Sequence, residues 1–264
     1  MKSLSILFLF LFVVFSYTSC APHSNAESIT ESDNYDSSEI SDQFTLDTSF
    51  IVSDKANNLI SVQVPITKNE KTNQLIYAYV IEKIYDLCGE IVETEFQTEN
   101  IITDKTSNTD NYIVVNYTIA YHTETNLSII FKGWFDKKLV AHPTNLLFTL
   151  NIDIEKNERV YLKNKYLINS KLYDTFVYFS QQQLKANANN EWLDNLERFS
   201  QDICTEDSFL KGLDAENEFY TYFTNDCIGI CYPVPFSLGN YMVTEIPYSC
   251  VDTLSISYSK NLDS

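Results

Sequence analysis

Residues 219–251 read FYTYFTNDCIGICYPVPFSLGNYMVTEIPYSCV. Two runs rich in Tyr, Phe, Thr and Ile flank Asn225-Asp226, so residue types that suit a pleated surface stand on either side of a turn pair. A proline-broken segment follows, and Met242–Ile246 then leads into Pro247-Tyr248. The stretch predicts a β-rich ending built on a hairpin. Cys227 and Cys231 stand four residues apart within it. On an extended strand that is about 13 Å at ~3.3 Å per residue, beyond the ~7 Å Cα separation a disulfide tolerates. Any bridge from either must therefore use a partner elsewhere.

The rest of the chain supplies matching elements. Leu146–Ile154 alternates as a strand, with Glu155–Glu158 as a turn and Val160–Leu162 as a short apolar piece. Tyr112–His122 and Asn126–Phe135 predict a hairpin around Thr123-Glu124-Thr125. Phe44–Val52 and Leu59–Ile66 are β-runs separated by Asp54–Asn58, and Pro65 marks an edge or a strand end because it has no N–H for a ladder. Between them and the hairpin, Ile76, Val80, Ile84, Leu87, Cys88 and Ile91 recur at spacings of three and four, the signature of one buried helix face, which Gly89 interrupts or ends. A second helix carries Leu172, Phe176, Phe179 and Gln183 on one face, with Asp174 near its start. A third, capped by Asn189 or Asn190, has the stripe Trp192, Leu193, Leu196, Phe199 and Ile203. Strands, then helices, then strands, without strict βαβ alternation, predict an α+β fold with antiparallel sheets packed with a few helices.

The N-terminus has a different character. Residues 1–20, MKSLSILFLFLFVVFSYTSC, have one lysine and then an apolar run from Leu4 to Phe15, which is signal-peptide anatomy. The run is too short for the ~20 residues a spanning helix needs. Ser19-Cys20 resembles a bacterial lipobox, with Tyr17 where Leu is usual, and makes Cys20 a candidate lipidated residue; simple secretion is the alternative. Residues 21–45 are rich in Ser, Asp, Glu and Asn and cannot bury enough apolar surface to offset their ordering entropy, so they read as an acidic, disordered tether.

Composition excludes some functions. The formal charge is −18 and Arg159 and Arg198 are the only arginines, which lacks the basic footprint of a nucleic-acid binder. An acidic surface instead keeps a protein soluble and steers basic partners toward it. With 5 glycines in 264 residues there is no Gly-rich phosphate loop.

Two stretches carry a family resemblance. VAHPTNLLFTLNIDIEKNERVYLKNKYL (140–167) and the closing 219–251 are similar to the extracytoplasmic domain of RsiV-type, lysozyme-responsive anti-sigma factors, which also precedes the catalytic part of PdaC-type peptidoglycan deacetylases. Leu139-Val140 stand where that family has glycines. The resemblance implies two successive subdomains: a smaller α+β companion over 46–138 and the RsiV-like α+β domain over 139–255. It also implies a binding or sensing module, since the chain has room neither for a sigma-binding segment with a spanning helix before residue 20 nor for a deacetylase domain after residue 251. Lysozyme or another basic protein, or peptidoglycan fragments, are the partners it suggests, with the membrane reached only through the N-terminal anchor.

No catalytic constellation stands out. His142 lies in the Ala-His-Pro step, but its only companions are His23 and His122, and neither HExxH nor paired CxxC occurs, so a structural role is favoured over a metal site. If Cys20 is lipidated, five cysteines remain. Export permits disulfides, and Cys204 with Cys227 or Cys231 with Cys250 are candidate pairs. No catalytic residue, cofactor or metal is expected. The rival readings are a cell-wall hydrolase or deacetylase with an unrecognised site, and a structural lipoprotein of the envelope.

Overall fold

The structure, a computed structural model, describes residues 47–54, 57–89, 95–99, 109–138, 140–187, 204–215, 219–235 and 239–256. The signal and tether segments, Cys20, Ile91 and the helix expected from Trp192 to Ile203 lie outside these residues.

The chain begins with β1 (Asp47–Ser53) and β2 (Asn58–Ile66), paired antiparallel, with Asn57 at φ 62° in the turn between them. Helix α1 (Glu70–Cys88) follows. The Asn69 side chain caps its start by accepting from the amides of Lys71 and Thr72 at 3.0 and 3.2 Å. Gly89, at φ 71°, closes it with its N–H on the Tyr85 carbonyl, so the glycine ends the helix as the sequence predicted. Ile76, Val80, Ile84 and Cys88 form its buried face, joined by Tyr79.

After β3 (Glu95–Gln97), strand β4 (Asn111–His122) and β5 (Asn126–Lys137) form the expected hairpin, with the Thr123 hydroxyl accepting from the Asn126 amide at 3.0 Å in the turn. β6 (Thr144–Asp153) and the short β7 (Glu158–Arg159) complete a seven-stranded sheet in the order β3-β1-β2-β4-β5-β6-β7. Every pairing in it is antiparallel except β2 with β4, over Asn58–Val62 and Asn111–Val115. Parallel neighbours need a long crossover, and α1 supplies it. β2 is an interior strand, and Pro65 is tolerated because the β4 ladder has ended at Val62. The 138/139 boundary falls between β5 and β6, which pair from Asn126↔Asp153 to Phe135↔Thr144.

One face of this sheet packs under α1: Val62, Ile113, Val115, Ile129, Phe131, Phe148 and Leu150 belong to one aliphatic core with Ile76, Val80 and Ile84. The other face of β5 and β6 is buried as well. There Ile130 and Leu147 meet Tyr222 and Cys231 of a second, three-stranded sheet.

That sheet has the order β10-β9-β8, from β8 (Tyr220–Phe223), β9 (Cys227–Pro233) and β10 (Tyr241–Pro247), all antiparallel. Ile228, Ile230 and Tyr232 on its far face pack with Leu172 and Phe176 of α3 (Ser170–Asn187) and Phe209 and Leu213 of α4 (Glu206–Ala215). The short α2 (Leu162–Lys165) precedes α3, and α5 (Tyr248–Val251) follows β10. Gln183 on α3 bonds both backbone groups of Glu245 in β10, at 3.1 and 3.4 Å. The fold is α+β, with antiparallel sheets.

Candidate ligand-binding cleft

The edge of β8 is tied to the face of the large sheet by side chains. The Thr221 carbonyl accepts from the Thr149 hydroxyl at 2.6 Å and from the Asn151 amide at 2.7 Å. The Phe223 amide donates to the Ser128 hydroxyl at 3.0 Å, and that hydroxyl donates to Asn151 Oδ1 at 2.6 Å. Ser128 and Asn151 face each other across β5 and β6, so adjacent strands supply one continuous polar ladder. All three side chains are buried. Buried polar groups are stabilising only when paired, and these pair with a strand edge that otherwise lacks a neighbour.

Over one end of this ladder lies a cleft of about 320 Å³. Tyr121, Asn126 and Ser128 of the β4–β5 hairpin form one wall, Lys165 and Tyr166 a second, and Phe223–Asn225 with Tyr248 a third. The third wall is rigidly built. Thr224 N–H donates to the Cys227 carbonyl at 3.0 Å across Asn225-Asp226, and the Thr224 hydroxyl accepts from the amides of Asp226 and Cys227. Tyr248 is locked onto the same turn: its amide donates to the Asp226 carbonyl and its hydroxyl to the Thr224 carbonyl, both at 3.0 Å. Burial pushes the Tyr248 phenol up to about 12.

The first wall depends on a bulge. Ile119 pairs with Ile129 but Tyr121 pairs with Ser128, so Ala120 is an extra residue in β4. Before the bulge, Ile113, Val115, Tyr117 and Ile119 share the α1 side of the sheet. Beyond it, Tyr121 stands with Ser128 on the opposite side, where the cleft is. The bulge re-aims that ring.

Lys165, at the end of α2, has its amine 5.0 Å from the Phe223 ring centre. Burial of the amine lowers its pKa from the ordinary lysine value, against the opposing field of Asp153. Burial likewise raises the Tyr166 phenol. Among the described residues no carboxylate and no histidine lines this cleft. A second, much smaller cavity of about 40 Å³ lies beside Arg159, whose guanidinium stacks 4.5 Å over Tyr79 and pairs with Glu82 at 3.4 Å.

The residues singled out from the sequence do not gather at one site. His142 is exposed in the loop before β6, and His122 ends β4, where burial lowers its pKa; neither lines the cleft. The five described cysteines are thiols in this structure. Cys204 belongs to the core between α3, α4 and the far face of the small sheet, while Cys227 shares the opposite face with Cys231 by strand alternation. Cys231 is buried against Ile130 and Leu147, and Cys250 is exposed on α5. The structure thus brings together neither of the two pairs considered. Burial pushes the Cys204 and Cys231 thiols up to about 12, which suits packing and not nucleophilic chemistry. Among the described residues no group of three or more His, Cys, Asp and Glu side chains is placed to hold a metal ion. The cleft residues Tyr121, Lys165 and Tyr166 have no sequence motif; the hairpin turn and the Pro247-Tyr248 step were its only visible parts.

The fold defines an α+β domain in which a small sheet and its helices are docked edge-on to a larger sheet. No family model matches the chain, and no curated protein matches it either. Among solved structures it is similar to a DUF3298 family member from Bacteroides fragilis, at 13% identity and a TM-score of 0.49, over 81% of this chain and 94% of that one. It is also similar to a DUF3298 family protein from Pseudomonas aeruginosa, at 11% identity and a TM-score of 0.48, over 80% of this chain and 92% of that one.

Proposed function

We propose that this chain is an exported binding module of the bacterial cell envelope, held to the membrane by a lipid on Cys20 through the acidic tether of residues 21–45, and without catalysis of its own. The observation that carries the binding reading is the 320 Å³ cleft, whose size falls within the ~300–1,000 Å³ range of small-ligand sites. Its lining of phenols, amides and one lysine offers recognition chemistry, whereas glycoside hydrolysis generally uses a pair of carboxylates and the lining has none among the described residues. The resemblance of residues 140–251 to the RsiV-type domain points the same way and supplies the ligand class, a cell-wall fragment. A lysozyme-like basic protein is the second reading, favoured by the −18 charge.

Calorimetric titration of the purified chain with soluble peptidoglycan fragments and with a lysozyme tests both. Saturable binding to fragments, weakened by a bulky Asn225→Trp substitution at the cleft rim, is the expected result. Heat from neither ligand removes the reading, and fragment turnover would establish the hydrolase instead. Blocked processing in cells treated with globomycin checks the lipid on Cys20.

A further inference from the structure

In a chain of net charge −18, the cations around the cleft are mostly matched: Lys156 pairs with Asp153 at 2.6 Å, Arg159 with Glu82 at 3.4 Å and Lys163 with Asp214 at 3.8 Å. Lys165 is the exception. Among the described residues no carboxylate lies within 4.0 Å of its amine, which rests on an aromatic face instead. The half-buried Tyr121 and Tyr166 rings line the same cleft, and neither hydroxyl has a hydrogen-bond partner among the described residues. One ammonium and two phenols thus converge on an open volume with their donors unsatisfied. Partly desolvated donors gain most from an anionic acceptor, and flat aromatic faces suit the apolar C–H face of a sugar ring.

We propose that the cleft binds an acidic sugar, a pyranose bearing a carboxylate, with Lys165 pairing the carboxylate, the Tyr121 and Tyr166 hydroxyls donating to ring substituents, and Tyr248 forming the stacking wall. This rests on the cleft being the ligand site and adds the charge of the ligand to that reading. The carboxylate has two sources in an envelope: the uronic acid of a polysaccharide, or the lactyl ether of a muramic residue.

The test titrates the full chain with glucuronic acid and N-acetylmuramic acid, each against its neutral counterpart, glucose and N-acetylglucosamine. At least one acid is expected to bind roughly tenfold or more tighter than its neutral partner, the loss of one charge-assisted contact. Which acid binds tells the two sources apart. K165Q should erase that preference and K165R should keep most of it. Lys165 is an exposed residue, and an unchanged Tm for K165Q shows that the fold is intact. Y166F should weaken both members of a pair alike. Equal binding of acid and neutral sugars, or an undiminished preference in K165Q, overturns the proposal. If peptidoglycan fragments bind but K165Q leaves their affinity unchanged, the acidic-sugar proposal fails while the binding-module reading stands. If sugars, fragments and lysozyme all fail to bind, both fall.

Discussion

The two cores of this molecule are made of different material. Under α1 the large sheet is packed with Ile, Val and Leu, with few rings among them. Under α3 and α4 the small sheet is packed with rings: Phe176 lies 4.6 Å from Phe209 and 5.1 Å from Tyr232, and Phe209 lies 5.7 Å from Phe219. The aromatic core also holds buried polar groups. Ser180 and Thr244 share a hydrogen bond of 2.6 Å beside the Tyr232 hydroxyl. Aliphatic side chains interlock without directional demands, so that half tolerates small losses. Rings and hydroxyls need particular orientations, so the other half concentrates its stability in fewer residues.

Alkali should have the largest effect. Cys204, Cys231 and Tyr248 are pushed up to about 12 by burial, and Tyr222 and Tyr232 are raised further. The fold thus prefers their neutral forms, whereas the unfolded chain releases those protons near the ordinary 9.0 for Cys and 10.0 for Tyr. Stability from these groups is complete below pH about 9 and is lost as pH rises toward about 12. A denaturation series from pH 7 upward should show a midpoint that is flat and then falls through that window, and a midpoint unchanged by alkali would refute the buried environment.

Phe176→Ala should cost about 3–5 kcal/mol, against about 0.5–1.5 kcal/mol for Ile129→Val in the aliphatic core. Both residues are 0% exposed, so the contrast reflects how many buried atoms one side chain of each core contributes and not depth. Urea unfolding of the two variants measures it, and equal losses would erase the distinction drawn above. Asn151→Ala breaks the ladder between the halves by removing the donor to Thr221 and the acceptor for Ser128, with an expected loss of about 1–3 kcal/mol. Hydrogen exchange should then rise first at Phe223, whose amide leans on the orphaned Ser128. Lys211→Ala, which removes the exposed Lys211–Asp207 pair of 2.7 Å on α4, should change stability by less than about 0.5 kcal/mol. A larger effect would mean that α4 depends on its surface charges.

The two halves also differed in how much could be read from the chain. Where a segment is amphipathic, its period shows: α1 was located by Ile76, Val80 and Ile84, its end by Gly89, and the β4–β5 hairpin by its alternation around Thr123–Thr125. The Asn225-Asp226 turn was equally plain, and so was Leu172–Phe176 as the inner face of α3. What stayed hidden depends on partners distant in sequence. The parallel placement of β2 beside β4 is decided by how α1 crosses over, which no local pattern records. Strands β5 and β6 are buried on both faces, so Ser128, Thr149 and Asn151 read as outward polar positions, although they meet the edge of β8. The cleft draws on the hairpin, β6, α2, the β8–β9 turn and α5, and no sequence window spans more than one of its walls. Cysteine spacing excluded a Cys227–Cys231 bridge but said nothing of which sheet face each thiol occupies.

One residue sets the phase of a whole wall. If Ala120 took a regular place in the β4–β5 ladder, opposite Ser128, Tyr121 would fall opposite Leu127, which lies in the aliphatic core. Regular pairing of Ala120 would turn the phenol inward and present the following histidine in its place, whereas deleting Ala120 would leave Tyr121 opposite Ser128. The chemistry of the cleft's first wall is therefore encoded as much by the place where β4 bulges as by the identity of its residues.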